Sequence, residues 1–152
     1  MMAGITGNGA PDTDDYGGYN CEVNSIVNYY GPVDVAKMSD NPSVLEHSSA
    51  DSPEGYLLGR VPVLENMELV KAANPVTYLS TDRECPPVLT IHGDSDMVVP
   101  FEQGIIIHEA LVNAGKHSEI YKLLGAGHGT EEFWTDETFD VVEGFIRKYD
   151  KN

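Results

Sequence analysis

Two aspartates and a histidine are the residues of this chain whose types and spacing could do chemistry together. Asp94 and Asp96 lie in "IHGDSDMVVP", on the turn after an apolar run, and His128 lies in "GAGHG", 32 positions beyond Asp96. An aspartate that accepts the Nδ1 proton of a histidine fixes the ring's tautomer and stabilises its protonated form. Nε2 is then free to take a proton from a nucleophile. This is acyl-transfer chemistry, and it requires neither a metal nor a cofactor. The glycines around His128 let the backbone turn sharply enough to aim the ring.

Such a pair must be held by rigid elements. "PPVLTIHG" is a continuous apolar run bounded by prolines and a glycine, as expected of a parallel strand over 86–92 that is covered on both faces. "FEQGIIIHEALVNAG" predicts a helix with Ile107, Leu111 and Ala114 in register, ended by Gly115. "HSEIYKLLG" predicts the next strand, 117–124, and "GAGHGTEEFW" a glycine-rich loop. In the closing helix, "DETFDVVEGFIRKY", the apolar face is expected to hold Phe139, Val142, Ile146 and Tyr149. Strand, helix, strand, helix implies a parallel sheet with right-handed crossovers. Reactive groups in such sheets collect beyond the carboxyl ends of the strands, and adjacent strands lie roughly 5 Å apart, so the acid and histidine loops can meet.

Upstream, "VNSIVNYYG" reads as a strand over 25–30 closed by Gly31-Pro32, with Ile26, Asn28 and Tyr30 on one face and Ser25, Val27 and Tyr29 on the other. Residues 35–80 alternate short helical pieces with Pro, Ser and Asn breaks. The strongest helix there is "VPVLENMELVKAANP", ending before Pro75. "MMAGITGN" reads as the last turns of a helix, and "APDTDDYGGYNCE" as a polar loop.

The length, 152 residues, fits one domain with a real core. A formal charge of -16 repels phosphate backbones and anionic surfaces, which argues against nucleic acid and membrane as partners. No apolar stretch approaches the ~20 residues of a membrane helix. "MMAGITGNGAPD" does not read as a signal peptide, and the compartment stays open. Cys21 and Cys85, the only cysteines, are expected to be reduced.

"PPVLTIHGDSDMVVP" followed by "GAGHG" resembles the acid and histidine loops of the α/β-hydrolases, in the esterase and prolyl-oligopeptidase-like branch that includes feruloyl and acetyl-xylan esterases. That branch's acid turn reads H-G-x-x-D-x-x-V-P, and its second acid carries catalysis. The resemblance therefore makes Asp96 the triad acid, Asp94 a turn residue and His128 the triad histidine. "SIVNYYGPVDV" is similar to the branch's sixth strand and "AANPVTYLS" to the stretch leading into its seventh. It implies an α/β fold with the family's last three strands and flanking helices, and a lid-like insertion over 36–80. It also implies hydrolysis of a small-molecule carboxylic ester through a serine acyl-enzyme. The family's serine sits in a G-x-S-x-G elbow upstream of the acid, and no G-x-S-x-G occurs in these 152 residues. The expectation is the C-terminal half of one α/β-hydrolase domain, probed by the open edge of strand 25–30, through which the chain could self-associate. A peptidase of prolyl-oligopeptidase type, or a non-catalytic remnant that binds a partner through that edge, stay open as alternatives.

The other candidates read more plainly. His92 is expected to be structural, buried where the strand enters its turn. "HEALVNAGKH" lacks the His-Glu-x-x-His spacing of a zinc helix, since position 112 is valine, so His108 is a surface helix residue. "DTDDYGGYN" fails as a calcium loop, with Tyr16 and Val23 where oxygen ligands belong. Trp134 is expected in the core rather than lining an acyl pocket. None of the nine serines, Ser95 included, sits on a strand-to-helix elbow.

Overall fold

The computed structural model describes residues 1–6 and 22–150. Three strands, β1 (Ile26–Tyr29), β2 (Val88–Gly93) and β3 (Ser118–Leu123), form one parallel sheet in the order β1-β2-β3. Val88 stands beside Ile26 on one side and Ser118 on the other. Every residue of β2 is buried, as its uninterrupted apolar sequence requires of a strand flanked on both edges and covered on both faces.

Helices cover the two faces. On one, α1 (Met2–Thr6) and α4 (Glu102–Asn113) bring Ile5, Ile107 and Leu111 against Ile26 and Val88. On the other, α5 (Asp136–Tyr149) brings Phe145 against Leu89, Ile91 and Leu123. Thr135 caps α5 by accepting the Thr138 N–H at 3.2 Å. Asp136 and Glu137 at its start and Arg147 and Lys148 at its end complement the helix dipole. The fold class and the three strands agree with the sequence reading, each strand within two residues of its expected bounds.

Three local expectations need correction. The stretch 61–75 is not one helix: a 3₁₀ turn, Val63–Glu65, is followed by α3 (Met67–Ala73). Between them Asn66 leaves helical geometry, at φ -126° and ψ 51°, and its side-chain amide donates to the Pro62 carbonyl. In α5 the inward residues are Thr138, Val141, Val142, Phe145 and Tyr149, whereas Phe139 and Ile146 are 46% and 44% exposed. The buried stripe thus runs one residue from the expected face at two positions. Trp134 is not in the core either: it is 54% exposed and stacks flat on Tyr29, ring centres 5.9 Å apart.

Segment 36–80 also carries α2 (Pro53–Leu57) and packs a small core of its own, with Leu58, Val63 and Val70 on Val35. It reaches back to the acid loop where the Val44 N–H donates to the Met97 carbonyl at 2.7 Å. Cys85 is unpaired, and Cys21 and the 12–20 stretch considered for calcium lie outside the described residues. Among the described residues no helix is long and apolar enough to cross a membrane.

Candidate active site

The acid and histidine loops leave the carboxyl ends of β2 and β3 and are tied together before any functional side chain is considered. Asp94 N–H donates to Leu123, Ser95 N–H to Ala126, and Asp94 Oδ1 accepts the Gly125 N–H at 2.7 Å. Gly93 permits this closeness, because a Cβ there would lie 2.3 Å from the Ala126 carbonyl oxygen. Asp94 is therefore more than a turn former: it fastens one loop to the other, with Lys122 3.7 Å from its second oxygen.

Asp96 sits inside this junction with a fully buried side chain. One oxygen, Oδ1, accepts the N–H groups of Val98 and Val99 at 2.8 and 2.9 Å, which shapes the turn. The other, Oδ2, lies 2.8 Å from Nδ1 of His128. A carboxylate in that position accepts the Nδ1 proton, so the ring presents an unprotonated Nε2. The His128 side chain is 33% exposed, open enough for a reacting group to reach it. The structure brings Asp96 and His128 together and leaves Asp94 in a supporting position.

His92 is fully buried, as expected, and its Nε2–H donates to the Val99 carbonyl at 2.9 Å. Burial pushes its pKa below the usual 6.5, against the opposing pull of the Val99 carbonyl and of Asp96. The ring is neutral at pH 7, and its 3.5 Å approach to Asp96 is not an ion pair. His108 hydrogen-bonds Ser118 through Nδ1 from its place on α4.

Tyr30 was not visible in the sequence as a site residue. Simple alternation puts it on the face of Ile26 and Asn28, but its backbone enters the left-handed region at φ 37° and carries the side chain to the other face. There its ring packs 4.5 Å from the His128 ring and edge-on against Phe133. A bulky residue in that conformation costs about 1–2 kcal/mol, so the surroundings over-determine it. Gly129, at φ 63°, passes beneath the tyrosine, where an added Cβ would come within 3.2 Å of the hydroxyl. The only sequence signal for this turn is the Gly31-Pro32 that follows.

Comparison with known proteins gives the family of the chain. Residues 1–111 match the BD-FAE family. The esterase LipC of Mycobacterium tuberculosis is 29% identical over 128 residues, a match that takes in 84% of this chain and 28% of LipC. A solved structure described as a truncated form of a carbohydrate esterase from gut microbiota superposes with a TM-score of 0.83 at 28% identity, over 97% of this chain and 54% of that one. A bifunctional GH43-CE protein of Bacteroides eggerthii gives 0.79 at 28% identity, over 98% of this chain and 22% of its own length. The chain thus spans about a quarter to a half of these relatives. With three parallel strands between helical layers and its matches to esterases, the chain belongs to the BD-FAE family, a family of esterases with the α/β-hydrolase fold.

Proposed function

We propose that this chain carries the acid and the histidine of a serine carboxylesterase, with Asp96 orienting His128 and a G-x-S-x-G serine supplied from outside these 152 residues. The observation that carries the reading is the 2.8 Å contact from Asp96 Oδ2 to His128 Nδ1. His128 Nε2 takes the serine proton as the serine oxygen attacks the ester carbonyl, then returns it to the departing alcohol. A water molecule repeats the cycle on the acyl-serine. The esterase relatives favour an ester over the amide of a prolyl-oligopeptidase-type peptidase. Segment 36–80, joined to the acid loop at Met97, is the pocket wall in this reading.

The test places an α/β-hydrolase N-terminal half with its elbow upstream of Met1 and assays an activated acetate ester. The fusion is expected to turn over, with loss in His128→Ala and a fall of about 10⁴-fold in Asp96→Asn. Fusion activity indifferent to His128 would refute its role. Activity of the isolated chain that vanishes in His128→Ala would refute the external serine.

Among the described residues β1 pairs only with β2, and this open edge supports a second part of the proposal. Ile26 and Tyr30 direct their amides to Pro87, just before β2, and to Ile91 within it, so by alternation those of Val27 and Tyr29 face away from the sheet. Such an edge is a template for another strand, and the isolated chain is expected to self-associate there. Sedimentation that finds only monomer at micromolar concentrations counts against this.

A further inference from the structure

A second histidine in this chain is wired like the first. His47 lies in the irregular stretch before α2 and is 2% exposed. Its Nδ1 is 3.0 Å from Oε2 of Glu54, in the first turn of α2, and its Nε2 is 2.8 Å from Oγ of Ser43. Carboxylate, imidazole and hydroxyl are connected in the order that activates a nucleophile, with each distance inside hydrogen-bond reach. The carboxylate is buried too, at 6% exposure, while Ser43 stays partly open to solvent.

We propose that Ser43 is a base-activated hydroxyl that accepts an acyl group from activated esters, independently of Asp96 and His128. An ionised Glu54 accepts the Nδ1–H, which leaves the Nε2 lone pair facing the Ser43 O–H. The Leu45 N–H donates to the same oxygen at 3.1 Å and stabilises negative charge as it develops there. At rest the Ser43 hydroxyl can instead donate to the Met97 carbonyl at 2.9 Å or the Val98 carbonyl at 3.5 Å, so attack requires its proton to rotate toward His47 Nε2.

In the step, Ser43 Oγ bonds to the ester's acyl carbon and its proton passes to His47 Nε2. The bond from that carbon to the leaving oxygen breaks, and His47 returns the proton to the departing alcohol. The products are an ester on Ser43 and a free alcohol. The next two amides along the chain are committed, Val44 to Met97 and Leu45 to Ser43 itself, so neither is free to hold the oxyanion of a tetrahedral intermediate. That limits the substrates to esters with good leaving groups, such as aryl acetates, and makes acylation far faster than release. Ser43 is thus a site of stoichiometric acylation rather than of turnover.

The test incubates the full chain with 4-nitrophenyl acetate and locates acetyl groups by peptide mass mapping. One acetyl group is expected on Ser43, absent in Ser43→Ala. His47→Gln is expected to slow labelling by ~10²-fold or more, the range of a positioned general base, and circular dichroism shows whether that variant folds. Should it not fold, Glu54→Gln carries the test. No acetyl group on Ser43 overturns the proposal, as does labelling that is equally fast in the Gln variants. Because the readout is the modified residue, its failure is separate from any failure of the Asp96–His128 reading.

Discussion

Replacing Asp96 by asparagine separates the two tasks of that side chain. The asparagine carbonyl can keep the position of Oδ1 and its bonds from Val98 and Val99. Its NH₂ group then stands where Oδ2 accepted from His128. An amide NH₂ cannot accept the Nδ1 proton, so His128 must turn an Nδ1 lone pair toward it and carry its proton on Nε2. The histidine stays in place in the wrong tautomer, with the nitrogen that should accept a proton already occupied.

The magnitude follows from the bonds exchanged. A charge-assisted hydrogen bond worth about 1.5–3 kcal/mol gives way to a neutral one worth about 0.5–1.5 kcal/mol, so Asp96→Asn is expected to cost ~1–2 kcal/mol of stability. Asp96→Ala loses both sets of bonds and leaves the buried Val99 amide without its acceptor, about 1–3 kcal/mol for the unmet donor on top of the lost charge-assisted bond, which raises the cost to about 3–5 kcal/mol. With a urea slope of about 2 kcal/mol per molar, the asparagine variant's midpoint falls by roughly 0.5–1 M and the alanine variant's by twice that or more. Urea unfolding followed by circular dichroism reads the midpoints, and nitrogen-15 NMR of the histidine rings reads the tautomer. Equal losses in the two variants, or a His128 that still carries its proton on Nδ1 in Asp96→Asn, would refute the reasoning.

Two further outcomes follow from the residues around the pair. His92 is neutral when folded because burial lowers its pKa, whereas the unfolded chain binds a proton there near pH 6.5. Its contribution to stability is full above that value and falls as the pH drops through it, so urea midpoints should decline from pH 7 to 5 and decline less in His92→Gln; identical slopes count against the assignment. Gly93→Ala places a carbon 2.3 Å from the Ala126 carbonyl, at a junction that the backbone bonds of Asp94 and Ser95 hold shut. Overpacking of that kind costs about 3 kcal/mol and should lower the melting temperature by about 6–12 °C, and a change within two degrees would mean the loops can part freely.

What the sequence reveals and what it hides divide along a physical line. β2 is legible because a strand covered on both faces needs an uninterrupted apolar run, and Asp96 and His128 are legible because each lies in a short motif beyond the carboxyl end of a parallel strand. The face of Tyr30 is not legible, since alternation assumes extended backbone throughout and one residue at φ 37° breaks the count. The face of α5 shifts for a related reason. Thr138 is buried by its hydroxyl bond to the Glu132 carbonyl at 2.8 Å, which turns Phe139 outward beside Trp134. Apolar periodicity cannot register a polar residue drawn inward by a hydrogen bond.

The Ser43–His47–Glu54 chain is hidden more completely, because its members lie 4 and 7 residues apart in a segment with no regular period. Its shape depends on where the loop folds back. Glu46 fixes part of that course by accepting the N–H groups of Ser48 and Ser49, and its pKa is lowered first by the Ser49 side chain and then by those backbone bonds. Ser52 then caps α2 by accepting the Gly55 N–H at 3.0 Å, which sets Glu54 in the first helical turn facing His47. Side-chain bonds to backbone amides, rather than apolar packing, decide that geometry. An acid and a histidine set in short loop motifs beyond parallel strands can therefore be read from their letters, whereas a hydroxyl, an imidazole and a carboxylate brought together by capped turns become visible only once those turns are built.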